Sequence, residues 1–88
     1  MNIYEFADVI DKEIIIRRYS NQNSRFMASF EGAETKENKS SCILSGTYGD
    51  GKNPNEAINN YAKKIQGRIL IFNAVGDKRQ EYVVPNFT

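Results

Sequence analysis

The chain reads as an α+β domain, with an antiparallel sheet of three to five strands, one main helix packed on a face of it and a short N-terminal helix, in the order α-β-β-β-α-β-β. Three observations predict this. Residues 53–67 carry the caps and the apolar spacing of an amphipathic helix. Runs rich in Ile, Val, Tyr and Phe lie on both sides of it, and Gly, Asn, Asp, Ser and Pro punctuate those runs.

Taken in order, Asn2 can cap a helix, Glu5 completes a capping box, and Ile3, Phe6, Ala7 and Ile10 recur at helical spacing, so a short helix is predicted over residues 3–11. Residues 13–19 hold three consecutive isoleucines, a β-branched run that favours a strand. The polar cluster at residues 20–24 predicts a turn. Residues 25–30 form the returning strand of a hairpin, with Phe26, Ala28 and Phe30 on the core face and Arg25, Met27 and Ser29 on the other. A strand end is expected at residues 33–35, running into an exposed loop through residue 39. Residues 41–48 read as the third strand, ended by Gly49-Asp50-Gly51.

The main helix is predicted over residues 54–66. Asn53 caps it, Pro54 takes the first position where a missing N–H costs nothing, and Glu56 completes a second capping box. Ala57, Ile58, Tyr61, Ala62 and Ile65 make its apolar stripe, Lys63 and Lys64 suit the negative end of its dipole, and Gly67 stops it. Residues 68–75 and 79–84 then read as a hairpin around Gly76-Asp77, halted by Pro85, with the last three residues expected to fray.

At 88 residues the chain has room for one domain, residues 1–88, and one core. A net charge of +1 supplies no overall field toward nucleic acid or anionic lipid. The longest strictly apolar run, residues 69–72, is far short of the ~20 residues that span a bilayer. With one cysteine, Cys42, no internal disulfide can form, and the start of the chain lacks the pattern of a signal peptide, so the cytosol is the expected compartment.

The absence of histidine removes the commonest general base and metal ligand. No catalytic residue, metal site or cofactor is therefore expected, and Cys42, between strand-like neighbours, is expected to be a buried and inert thiol. Residues 46–52 fit the spacing of a phosphate-binding loop, but Asn53 stands where a Mg²⁺-binding hydroxyl is needed, Asp50 adds negative charge and Pro54 removes an N–H. The segment reads instead as a turn into a capped helix. Basic residues gather in two stretches, Arg17, Arg18 and Arg25 on the first hairpin and Lys63, Lys64 and Arg68 at the end of the main helix. Arginine and tyrosine are enriched at interface hot spots, so Arg17, Arg18, Tyr19 and Arg25 are the first candidate partner-binding residues, and Asp50 and Lys52, in the loop before the helix, the second. Residues 79–84 are a candidate exposed edge for pairing two copies, leaving monomer and homodimer both open.

The order α-β-β-β-α resembles that of the double-stranded RNA-binding domain, although Asn53-Pro54-Asn55-Glu56 stand where that family carries its lysine cluster. Residues 25–65, with Arg25-Phe26-Met27-Ala28-Ser29-Phe30 and Gly49-Asp50-Gly51-Lys52-Asn53-Pro54-Asn55-Glu56-Ala57-Ile58, resemble the HicB antitoxin domain, which implies a toxin protein as partner. In size and style the chain is similar to small accessory proteins of Gram-positive phages and prophages, anti-CRISPR inhibitors among them. That resemblance implies stoichiometric occlusion of a host protein's surface, with nucleic acid as the competing class of partner and no membrane.

Overall fold

A computed structural model describes residues 1–19 and 25–88, so the turn expected at residues 20–24 lies outside the described residues. The elements are α1 (Ile3–Ile10), β1 (Ile14–Tyr19), β2 (Arg25–Phe30), β3 (Ala33–Lys36), β4 (Gly49–Gly51), α2 (Pro54–Ile65), β5 (Ile69–Phe72) and β6 (Gln80–Val83). The α+β class holds, with the strands divided between two antiparallel three-stranded sheets, β1-β2-β4 and β3-β5-β6. Two short strands, β3 and β4, stand before α2 where one third strand was expected.

Both helices start as their caps dictate. Asn2 Oδ1 accepts from Glu5 N–H at 2.9 Å while Glu5 Oε1 accepts from Asn2 N–H at 3.0 Å; at α2 Asn53 Oδ1 accepts from Glu56 N–H at 2.8 Å, but the Glu56 side chain does not return the bond, so the second capping box is only half formed. α1 ends at Asp11 in the left-handed region, and α2 ends at Ile65, one residue before the predicted limit, with Gln66 as its cap. Ala57, Ile58, Tyr61, Ala62 and Ile65 are buried, so the stripe read from the sequence is the buried face.

Phe30 is the hub of the core. Its ring meets Phe6 of α1 at 6.3 Å, Tyr61 of α2 at 5.9 Å and Phe72 of β5 at 6.2 Å, so one side chain ties both helices and both sheets together. Tyr61 Oη also accepts the Phe30 N–H at 3.1 Å. Burial raises the Tyr61 pKa above its ordinary value, and the Phe30 hydrogen bond opposes part of that rise. After Phe30 the chain turns through Gly32, φ +72°, and leaves the first sheet, so β3 pairs with β5 rather than with β2.

The third strand expected at residues 41–48 does not form. Those residues carry the chain from the second sheet to the first and meet β3 at Thr35, which exchanges backbone hydrogen bonds of 2.8 Å with Ser45 and whose hydroxyl lies 2.8 Å from that of Thr47. Gly49-Asp50-Gly51, read as the end of that strand, is itself β4 and pairs with β2. Cys42 is accordingly exposed rather than buried, and its neighbour Ile43 is 77% exposed.

In the last hairpin Asn73 enters the left-handed region at φ +54° and Gly76 N–H donates to Asn73 O at 3.0 Å, which ends β5 at Phe72, three residues short of the predicted limit. The two-residue turn gives way to a loop over residues 73–79. The C-terminus is docked where fraying was expected. Phe87 stacks edge-on against Phe6 at 5.8 Å and Thr88 N–H donates to Met1 O at 3.1 Å.

Candidate functional site

The first sheet has two unlike faces, and the strand registers assign each residue to one of them. Directly opposed residues share a face, so Ile14 with Phe30, Ile16 with Ala28 and Arg18 with Phe26 point inward, together with Gly49 and Gly51 opposite Ala28 and Phe26. α2 lies on this inner face so closely that a Cβ on Gly49 would overlap the backbone of Tyr61 and Ala57, and one on Gly51 would sit 2.6 Å from Ala57 N. Gly49 and Gly51 of the phosphate-loop-like segment are thus required by helix packing, whereas Gly46 is not. The amide at the start of α2 is taken by the Asn53 side chain.

The outer face carries Ile15, Arg17 and Tyr19 from β1, Arg25, Met27 and Ser29 from β2, and Asp50 from β4. Arg17, Met27 and Asp50 lie in one row across the three strands. Arg25 Nε and one terminal nitrogen both reach Asp50 Oδ2 at 3.2 Å, and the Tyr19 hydroxyl donates to Met27 Sδ. With side chains 42% and 47% exposed, the Arg25–Asp50 pair contributes at most about 1 kcal/mol, so its main effect is to fix where the guanidinium sits on this face. Two guanidinium groups face one carboxylate at this end of the sheet, with Met27 half-buried between them, while half-buried Ile15 continues the row toward Glu13 and Glu31, which follow in the same alternation.

Four of the six residues predicted to bind a partner, Arg17, Tyr19, Arg25 and Asp50, therefore converge on one surface. Arg18 does not join them: strand alternation turns it to the inner face, where its guanidinium carbon lies 6.0 Å from the Phe26 ring centre. Lys52 is exposed beyond the end of β4 and forms no part of the row. Ile15 was not among the predicted residues, although its period-two spacing from Arg17 and Tyr19 carries the signal. The Arg25–Asp50 pairing joins residues 25 positions apart and has no local signal.

The second basic stretch does not assemble. Lys64 Nζ donates to Tyr48 O at 3.0 Å, Arg68 lines a small recess with Thr35 and Ser45, and Lys63 lines a different groove with Asn2 and Asn59. Among the described residues no group of three His, Cys, Asp or Glu side chains is placed to hold a metal ion, and no helix is long and apolar enough to cross a membrane.

Fold and face together define a small α+β domain that presents a sheet surface of mixed apolar and charged residues, with its arginines at one end. Comparison with protein-family models, curated proteins and solved structures found no significant match.

Proposed function

We propose that this protein is a non-enzymatic domain that binds a partner protein stoichiometrically through the outer face of the β1-β2-β4 sheet. The observation that carries the proposal is the convergence of Arg17, Tyr19 and Arg25 around Met27 on that open face. Arginine and tyrosine supply large, orientable contact area, and methionine adapts to irregular surfaces, which is the chemistry of protein interface hot spots. The dispersal of Lys63, Lys64 and Arg68 to three different places favours a protein over a polyanion, because a phosphate backbone needs a continuous basic track. With the likeness to phage and prophage accessory proteins, the role is that of an anti-defence inhibitor in the host cytoplasm, occluding a functional surface of a host protein.

Affinity capture from a Gram-positive host lysate tests this, with wild type compared against Arg17→Glu and Tyr19→Ala. The expected result is a stoichiometric protein partner whose affinity falls by roughly thirtyfold or more in each variant, with thermal unfolding unchanged. Capture unaffected by both substitutions refutes the site. A salt-dependent shift with duplex RNA or DNA, and no protein partner, refutes the class.

A further inference from the structure

Among the described residues, the edge-facing backbone groups of Ile14 and Ile16 on β1 are unused. Glu31 N–H donates to Glu13 O at 3.3 Å in the β1–β2 register, whereas Phe30 N–H, at the next pair, turns away from β1 to Tyr61. Antiparallel pairs alternate in this way, so Glu13, Ile15, Arg17 and Tyr19 direct their backbone groups to β2. The amides and carbonyls of Ile14 and Ile16 point to the open edge of the sheet. Such an edge is a template for another strand.

The other edges offer less. β3 is engaged by Ser45, β4 has three residues, and β6 presents Glu81, which Lys36 and Arg79 already hold. β1 has six residues, and its Ile16 is 38% exposed. Its sequence is also self-complementary, because exposed Glu13 and exposed Arg17 flank the three isoleucines symmetrically about Ile15.

We propose that β1 pairs antiparallel with β1 of a second copy of this chain, about a two-fold axis through Ile15. This register sets Ile15 against Ile15, Ile14 against Ile16 and Glu13 against Arg17 of the other copy, twice by symmetry. The unused groups of Ile14 and Ile16 then bond across the axis, and the two sheets become one of six strands. Centring the axis on Arg17 would set Arg17 against Arg17 in the middle of the pairing, whereas in the Ile15 register the like-charged pair, Lys12 with Arg18, falls at the two ends, where the Lys12 ammonium is already turned over the Phe72 ring at 4.7 Å. Ile14 also borders a groove of about 360 Å³ lined by Tyr4, Ala7, Asp8, Lys12, Glu13 and Ile58. The outer faces of the two copies remain open and adjoin, doubling the surface that carries Arg17, Tyr19 and Arg25.

Sedimentation equilibrium of the pure protein up to about 1 mM tests the pairing without any other partner. Wild type is expected to dimerise, Glu13→Arg and Arg17→Glu each to raise the dimer Kd by about tenfold or more, and the doubly exchanged protein to return within about threefold of wild type. Both residues are exposed, so circular dichroism is expected to stay unchanged. A protein that remains monomeric at the highest concentration, or a dimer indifferent to the single exchanges or not recovered in the double one, overturns the proposal.

Discussion

Replacing Gly49 by alanine tests the close approach of α2 to β4. The added methyl would overlap Tyr61 N, Tyr61 Cα and Ala57 O, all backbone atoms of α2, so no side-chain rotation can make room. The helix must lift from β4 as a unit. Overpacking costs about 1–3 kcal/mol where neighbours can yield, and with only backbone to move the cost belongs at the upper end, about 3 kcal/mol. At about 0.05–0.15 kcal/mol per residue the 88-residue domain has roughly 4–13 kcal/mol in total, so the loss is a large share of it. Each kcal/mol moves Tm by roughly 4–8 °C at this size, which predicts a fall of roughly 12–24 °C by circular dichroism. Gly46→Ala is the control, because its Cβ meets nothing within 4 Å, and a gain of about 0.4–1 kcal/mol is expected from the less flexible unfolded chain. If Gly49→Ala melts within about 3 °C of wild type, the reasoning that α2 rests on bare backbone is refuted.

Tyr61→Phe removes the acceptor of the buried Phe30 N–H and is expected to cost about 1–3 kcal/mol in urea unfolding with an unchanged m-value; a neutral substitution would show that another acceptor serves that amide. Glu81 has its pKa lowered, chiefly by its hydrogen bond to Lys36; desolvation opposes this, and the weaker pull of Arg79 adds to the lowering. A carboxylate with a depressed folded pKa contributes stability that is present above its unfolded value and is lost as pH falls through the folded one. Thermal scans in acid should therefore show part of the stability disappearing below the ordinary carboxylate range, and Glu81→Gln should remove that part of the pH dependence.

Much of the fold is legible because much of it is local. Asn2 with Glu5, and Asn53 with Pro54 and Glu56, specify where each helix starts within a few residues of chain, and the α2 stripe from Ala57 to Ile65 is the face that the structure buries. The alternation in residues 25–30 likewise separates Phe26, Ala28 and Phe30 from Arg25 and Met27 without knowledge of any neighbour. The candidate site is legible in part for the same reason. Arg17 and Tyr19 are two apart on one strand, whereas Arg18 between them must face the other way, a rule that a cluster of nearby basic residues obscures.

What the sequence alone determines about this protein is its class, its helices with their caps, and the inner face of its second strand, since each rests on interactions within one turn or one strand. Only the tertiary structure decides that the strands form two sheets, that β3 leaves β2 for β5, that residues 41–48 bridge the sheets with Cys42 exposed, and that Asp50 meets Arg25. Those outcomes depend on which distant backbone groups find partners and on how closely two glycines let α2 approach. Pairing of that kind is set by the whole packed chain, and a local run of residues carries no record of it.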